Sequence, residues 1–366
     1  MNSQTGYEID FLPVGNGERS GDAIAVRYGS TGNYKVMVYD GGTQESGQAL
    51  VDHIRTYYET NRVDYVVNSH PDADHASGLA VVLEQMEVGE LWMHRPWNYS
   101  DAILGYFQDS RITSQSLADR LQAKMAAAYA LEELALGKGI SIKEPFQGCR
   151  IGEFVVLSPN KEWYVHTLIP EFEKSPEQKD ALGIIEAAMK KSMAAARTTI
   201  TWIAESWGHE SLRENVETSA ENDSSAVLFA VFSERGVLLT GDSGIRALSA
   251  SADLTESVGI SLPDTLSFAQ IPHHGSRNNV STSALDRILG PRMRTNDAAA
   301  SKVAFVSAGE NSKTHPRKIV VNAFIRRGWR VIATQGSATR HHFQMPNRNW
   351  GPASPMPFSN EGESWD

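Results

Sequence analysis

The sequence has little cysteine and no long apolar run. Cys149 is the only cysteine among 366 residues, which excludes an intramolecular disulfide and a zinc site built on several thiolates. Nowhere do about 18 apolar residues follow one another, and Met1–Glu8 lacks the basic and apolar regions of a secretory signal. We therefore expect a cytoplasmic protein without integral membrane association. Its metal ligands must be His, Asp and Glu.

Short β-type runs alternate with helical runs in two blocks of the chain. In the first block, strands are predicted at Ile9–Val14, Asp22–Tyr28, Lys35–Tyr39, Tyr65–Asn68 and Glu90–His94, and helices at Gln48–Thr60 and Ala76–Gln85. In the second, strands are predicted at Phe154–Ser158, Ala226–Phe232, Val237–Thr240, Ser267–Ile271, Val303–Ser307 and Arg330–Ala333, and helices at Ser281–Leu289 and Pro316–Arg327. This alternation is typical of a layered α/β architecture.

Two stretches rich in Ala, Leu and Lys, Ser114–Gly137 and Glu171–Trp207, interrupt the strand pattern. We assign residues 98–150 and 160–220, as approximate limits, to a helical insertion, and residues 1–97 and 151–350 to the core that it interrupts. Such an insertion could be a lid, a dimer surface or a specificity platform. Residues 351–366 are rich in Pro, Ser and Glu, and we expect a flexible tail there.

The segment His70–His75, which reads His-Pro-Asp-Ala-Asp-His, packs two imidazoles and two carboxylates directly after an apolar run. Alternate residues of an extended segment point the same way, so the side chains of His70, Asp72 and Asp74 can converge. His75 can then turn in at the start of the following helix. The pattern predicts a strand that delivers metal ligands to a loop.

Three further strand ends carry chemically competent side chains. Each of these motifs, taken alone, has a purely structural interpretation. Asp40-Gly41-Gly42 would be a tight turn, Gly241-Asp242-Ser243-Gly244 would be a helix cap, and the His273-His274 pair would be part of an ordinary glycine turn. Their joint occurrence with His70–His75 favours one shared site, because the loops at one edge of a sheet are where α/β proteins assemble sites.

On these motifs the sequence resembles the metallo-β-lactamase superfamily, and within it the hydrolase domain of the competence protein ComEC and its free-standing relatives. The resemblance also includes Asn222–Ser225 and Asn311–Pro316, and it runs from about residue 7 to 345 outside the insertion. It implies an α/β fold, the αββα sandwich, with a dinuclear metal site between the two sheet edges.

The resemblance implies a ligand set for two divalent ions. The implied ligands are Asp74, His75 and His274 for one ion, His70 and Asp72 for the other, and Asp242 as the bridge, with Asp40 and Asn222 in support. The family usually has histidine where Asp72 stands, and often a further histidine where this chain reads Glu221-Asn222-Asp223. Carboxylate ligands favour harder ions such as Mn²⁺, while Zn²⁺ also fits the remaining imidazoles.

Those ligands suggest the chemistry. Two divalent ions about 3.5–4 Å apart lower the pKa of a bridging water toward neutrality and clamp the attacking and leaving oxygens of a phosphodiester. Asp74 could orient the resulting hydroxide as well as bind metal. His273, next to the ligand His274, could donate to a phosphate oxygen or to the leaving group. We therefore interpret Asp74 and His273 as catalytic.

Substrate-binding residues are predicted at Arg277, Lys313 and His315. Pro316 suits the first turn of a helix, whose N-terminus beside Lys313 is a plausible phosphate seat, although His315 could simply pack the helix start. Arg277 follows the histidine pair closely enough to reach substrate.

Charge is spread unevenly along the chain. The formal net charge is −10, yet residues 271–350 hold thirteen Lys/Arg against three Asp/Glu, a local excess of +10. Such a segment can attract a polyanion such as nucleic acid, or it can be a solvated helical face such as Arg326-Arg327.

Three functions remain open. The first is a phosphodiesterase or nuclease that uses metal-activated hydroxide on nucleic acid or a nucleotide-derived substrate. The second is a metallohydrolase of another ester, a lactone, a thioester or a small phosphoester, because a fold does not fix its substrate. The third is a binding protein whose catalytic site has decayed.

Overall fold

The computed structural model describes residues 5–17, 21–178, 201–296 and 300–365. The strands in these ranges are β1 Gly6–Phe11, β2 Ala23–Ser30, β3 Asn33–Gly41, β4 Arg62–Val67, β5 Glu87–Trp92, β6 Ser141–Lys143, β7 Arg150–Ile151, β8 Phe154–Ser158, β9 Trp202–Ala204, β10 Val227–Phe232, β11 Arg235–Leu239, β12 Leu266–Gln270, β13 Lys302–Val306, β14 Trp329–Ala333, β15 Thr339–Phe343 and β16 Glu361–Glu363.

The longer helices are α1 Gln44–His53, α2 Ala73–Gln85, α3 Ser114–Lys124, α4 Ala126–Gly137, α5 Ile245–Ser257, α6 Thr282–Leu289 and α7 Lys318–Arg326. Short helical segments are Ile54–Tyr58, Pro96–Tyr99, Ser100–Ile103, Leu104–Tyr106, Lys161–Trp163, Tyr164–Leu168, Ile169–Glu171, Ala220–Asp223, Leu262–Thr265 and His273–Gly275. Among the described residues, no helix has the length and apolarity needed to cross a bilayer.

Fourteen of these strands form two seven-stranded sheets, and β9 and β16 form a separate pair. The first has the order β15-β1-β2-β3-β4-β5-β6 and the second the order β14-β13-β12-β11-β10-β8-β7. Strands β3 to β6 run parallel to one another, as do β11 to β14. The loops at their carboxyl ends therefore lie at one edge of each sheet.

Three apolar layers hold the sheets and helices together. In the first sheet, alternation along β3 and β4 sends Val38 and Val66 toward α1, α2 and α4, and sends Met37 and Val67 toward the second sheet. Phe268 and Phe305 fill the space between the sheets, and Phe11 contacts both rings edge-on. The outer face of the second sheet is covered by α5, α6 and α7. This arrangement confirms the predicted αββα sandwich.

The predicted insertion is corrected in its first part. Helices α3 and α4 connect β5 to β6, a strand parallel to β5 in the same sheet, and the buried side of α4 belongs to the same apolar cluster as α2. They are thus the crossover of a β-α-β unit within the core. In the second part, Lys161–Glu171 is helical and Trp202–Ala204 is a strand, while 179–200 lies outside the described residues.

The C-terminal segment, expected to be a flexible tail, packs against the second half of the molecule instead. Strand β16 pairs with β9. The carboxylate of Glu363 accepts hydrogen bonds from the backbone N–H groups of Lys318 and Ile319, and the indole of Trp365 donates to the carbonyl oxygen of Ser211 at 2.6 Å. These polar contacts fix a segment whose composition suggested disorder.

Glycines bring α2 close to the end of β3. The backbone N–H of Gly78 donates to the carbonyl oxygen of Gly42 at 2.9 Å. A Cβ atom added at Gly78 would lie 1.9 Å from the carbonyl oxygen of Gly41, closer than any van der Waals contact allows. This approach sets the position of the first turn of α2, where His75 lies.

We predict that Gly78→Ala destabilises the fold by about 1–3 kcal/mol, because the backbone atoms that the methyl group meets cannot yield. Gly137→Ala is the matched control, since Gly137 also lies in a helix but a Cβ atom added there would meet nothing within 4 Å outside that helix. The measurement is urea-induced unfolding of both variants. Equal stability of Gly78→Ala and the wild type would contradict the packing described here.

Candidate metal centre

Loops of both sheets meet at one buried place. His70 follows β4 and His75 lies in the first turn of α2, both from the first sheet's side. Asp242 follows β11, and the His273-His274 pair follows β12 in the second sheet. Side chains from distant parts of the sequence are thereby brought together by the two parallel-strand edges.

Four imidazoles surround one carboxylate oxygen. Oδ2 of Asp242 lies 3.4 Å from Nε2 of His75, 3.7 Å from that of His273, and 3.9 Å from those of His70 and His274. Ligand atoms that are each about 2 Å from one ion lie roughly 3–4 Å apart. The spacing therefore suits a metal ion, and His75, Asp242 and His274 form a buried group able to hold one.

Unpartnered atoms support the same interpretation. Nε2 of His70, Nε2 of His75 and Oδ1 of Asp242 are buried and have no hydrogen-bond partner among the described residues. Buried polar atoms without a partner are rare because each one costs free energy of desolvation. A cation bound between His75 and Asp242 would give the atoms of these two residues a partner, so the residues present fit a divalent ion.

The Nδ1 atoms of His70, His75 and His274 are fixed by hydrogen bonds. Nδ1 of His75 donates to Oδ2 of Asp40 at 2.9 Å, and Nδ1 of His274 donates to the carbonyl oxygen of Ser307 at 3.2 Å. The hydroxyl of Ser69 donates to Asp40 at 2.6 Å and therefore accepts from Nδ1 of His70 at 2.9 Å. Such contacts fix the tautomer that presents Nε2 to a metal.

The histidine pair adopts an unusual backbone. His273 and His274 both have positive φ, 45° and 54°, a conformation that costs side-chain-bearing residues free energy and often marks a functional site. This bend directs both imidazoles toward Asp242. Asn222 and Asn279 contact Nδ1 of His273 at 2.9 and 3.0 Å.

Asp22 is a site residue that the sequence did not reveal. Its Oδ2 accepts from Nε2 of Gln270 at 2.8 Å and lies 4.0 Å from Nδ1 of His75. Burial raises the pKa of Asp22 to about 7, against the lowering effect of His75. Since β2 is antiparallel to β3, its amino end meets the carboxyl end of β3 at the site.

The two remaining predicted ligands are Asp72 and Asp74. Oδ2 of Asp72 is 3.8 Å from Nε2 of His70, and its other oxygen accepts from Lys174. Asp74 is half-buried in α2 and belongs to neither buried metal-competent group, Asp40–His70–His75 or His75–Asp242–His274. Its ligand and catalytic roles stay predictions.

The three predicted substrate-binding residues lie in different surroundings, and their role stays a prediction. The ring of His315 is parallel to that of His273, with 6.4 Å between centroids, and Lys313 is exposed in the loop before it. Arg277 instead donates to the carbonyl oxygen of Ser364 and stacks on the indole of Trp365 at 4.4 Å.

The predicted phosphate seat is corrected. Helix α7 begins at Lys318, and its first backbone N–H groups bind the carboxylate of Glu363. An internal anion therefore already takes the hydrogen bonds that a phosphate would have received at this helix N-terminus.

Ion pairs compensate part of the basic excess of residues 271–350. Acidic residues from outside this segment pair with five of its arginines: Arg287 with Asp253 and Glu256, Arg326 with Glu205, Arg327 with Glu210, and Arg340 and Arg348 with Glu8. Arg326 is 0% exposed, so neither a solvated helical face nor a polyanion surface describes it. Attraction of a polyanion by the other basic side chains of this segment stays a prediction.

Residues 16–137 match the family model described as "Metallo-beta-lactamase superfamily". This stretch is therefore similar to metallo-β-lactamase superfamily domains. No curated protein sequence matches it.

Solved structures with a similar arrangement are distant. The metallo hydrolase Igni18 from the hyperthermophilic archaeon Ignicoccus hospitalis is 12% identical with a TM-score of 0.36, and the match covers 92% of this chain and 100% of that one. The metallo-β-lactamase SMB-1 is 10% identical with a TM-score of 0.30, covering 77% and 86%. The long form of RNase Z from yeast is 11% identical with a TM-score of 0.34, covering 98% and 40%. Likeness at this level assigns no substrate to this chain.

We predict that Asp40→Asn weakens metal binding by about 10- to 100-fold, because the carboxylate that orients His75 is lost. Asp64→Asn is the matched control, a buried aspartate of β4 that binds Lys35 outside the centre. Competition dialysis with a chelating dye measures both affinities. Unchanged affinity in Asp40→Asn would rule out the orienting role.

We expect the two adjacent histidines, His273 and His274, to have different roles. His274 is almost fully buried, while 31% of the His273 side chain is exposed. We expect His274→Ala to lower the bound metal, and His273→Ala to retain metal but lose turnover. The test measures turnover and, by mass spectrometry, the metal content of the same samples. Equal metal contents in the two variants would contradict the predicted difference.

Proposed function

We propose that this chain is a metal-dependent hydrolase that cleaves phosphodiester bonds in nucleic acid or a nucleotide-derived substrate. The observation that carries the proposal is the convergence of four imidazole Nε2 atoms on Oδ2 of Asp242 within 3.4–3.9 Å. A cluster of this kind is built for a cation, because buried imidazoles and a carboxylate without hydrogen-bond partners are otherwise costly.

His75, Asp242 and His274 would hold a Zn²⁺ or Mn²⁺ ion, with Asp40 and the backbone of Ser307 behind the two rings. When bound, such an ion polarises the scissile group and lowers the pKa of a water. Burial of these ligands excludes bulk solvent and strengthens every electrostatic interaction within the centre.

The open side of the centre presents donors that match a phosphodiester. His273 is partly exposed and its Nε2 faces the centre, so it can hold a proton for a nonbridging oxygen or a leaving group. The ring of His315 lies parallel to that of His273, and the side chain of Lys174 is 28% exposed on the His70 side. Donors on two sides suit a group with two nonbridging oxygens.

A small phosphoester or another ester is the second candidate substrate. The observation that favours it is the compensation of the basic segment by Glu8, Glu205, Glu210 and other acids, which removes much of the charge a long polyanion would need. A decayed binding site, the third hypothesis, is disfavoured by the unpartnered atoms of His70, His75 and Asp242.

We expect the Mn²⁺- or Zn²⁺-loaded chain to cleave at least one phosphodiester among bis(p-nitrophenyl) phosphate, single-stranded DNA, RNA and a cyclic dinucleotide. Asp242→Asn should lower that rate at least 100-fold, because it removes the central charge, and the exposed Asp253→Asn should leave it unchanged. The assay includes p-nitrophenyl acetate and p-nitrophenylphosphocholine. Hydrolysis of the carboxylic ester with no phosphodiester cleaved would overturn the proposal.

A further inference from the structure

A lysine from outside the recognised motifs reaches the His70 side of the centre. Nζ of Lys174 donates a hydrogen bond to Oδ1 of Asp72 and lies 3.8 Å from Oε1 of Glu221. Glu221 is buried and its second oxygen has no hydrogen-bond partner among the described residues. One ammonium group thus faces two carboxylates beside the candidate ligands.

The backbone fixes this lysine in place. The backbone N–H of Lys174 itself donates to Oε1 of Glu221 at 3.3 Å. On either side of it, Phe172 is buried and the hydroxyl of Ser175 donates to the carbonyl oxygen of Ile169 at 2.6 Å. The long side chain is therefore aimed at Asp72 by an anchored turn.

Few candidate metal ligands lie on the His70 side of the centre. Of the two oxygens of Asp72, one binds Lys174 and the other lies 3.8 Å from Nε2 of His70. Asn222, which stands near the position of a further histidine in the resemblance, gives its amide to Thr218 and His273. Asp72 also lies outside the two buried metal-competent groups. A second ion would find few ligands here, and a positive charge already in place.

We propose that the ammonium group of Lys174 replaces the second metal ion, so that the centre holds one divalent ion on His75, Asp242 and His274. This inference rests on the proposed function to the extent that the centre is a metal centre. It accounts for the carboxylate at position 72, because an aspartate forms an ion pair with an ammonium group and a neutral imidazole does not. A divalent ion on His70 and Asp72 would be repelled by Lys174 at close range.

The test is the number of metal ions per chain, read without substrate. The full chain is loaded with excess Mn²⁺, freed of loose metal on a desalting column and analysed by plasma mass spectrometry. We expect one ion per chain in the wild type and in Lys174→Arg, which keeps the charge. Lys174→Met, which frees Asp72 and Glu221, should bind two, and Lys143→Met, which removes an ammonium paired with Glu90 elsewhere, should bind one.

Electron paramagnetic resonance gives a second readout on the same samples. An isolated Mn²⁺ ion in the wild type and an exchange-coupled pair in Lys174→Met would support the inference. Two ions in the wild type, or one ion in a folded Lys174→Met variant, would overturn it while leaving the proposed function standing. The absence of a bound ion from every sample would overturn both this inference and the proposed function. If Lys174→Met does not fold, the number of ions bound by the wild type decides alone.

Discussion

The imidazole of His75 lies between two buried carboxylates, and the arrangement of the site depends on that contact. Its Nδ1 donates to Asp40 at the end of β3, and its Nε2 is 3.4 Å from Asp242 at the end of β11. One side chain thereby connects the edges of both sheets. Everything that positions α2 also positions this ring, including the close backbone contact of Gly78 with Gly41 and Gly42.

The same contact concentrates negative charge in an apolar setting. Asp22, Asp40 and Asp242 are all buried around His75, and Asp72 and Glu221 lie beyond His70. Burying several carboxylates together is stabilising only when cations or hydrogen-bond donors accompany them. Imidazoles and Lys174 supply these in different parts of the centre, and a divalent ion held by His75, Asp242 and His274 would supply a further positive charge.

Much of this arrangement follows from local sequence. Strand β8 was predicted with its observed bounds, Phe154–Ser158, because its apolar run is flanked by turn residues. The motifs at His70–His75, Asp242 and His273-His274 meet because parallel strands end at one edge, a rule that needs no long-range information. Asp22 could not be found in this way, since its place depends on β2 running antiparallel to β3.

Other features depend on contacts between segments that are far apart in the sequence. The helical composition of Ser114–Gly137 does not tell an insertion from a crossover, because β6, which rejoins the sheet, is only three residues long. Lys174 and Glu363 each act through a contact with a residue 45 or more positions away, and neither belongs to a periodic pattern. Compensation of the basic segment is similarly invisible until Glu8, Glu205 and Glu210 fold against it.

The most direct test of the metal centre is an anomalous difference map from crystals of the full chain grown with Zn²⁺ and measured at the zinc absorption edge. The account predicts one strong peak about 2.0–2.2 Å from Nε2 of His75, Nε2 of His274 and a carboxylate oxygen of Asp242. A map without a peak among these three side chains, at full zinc loading, would contradict it.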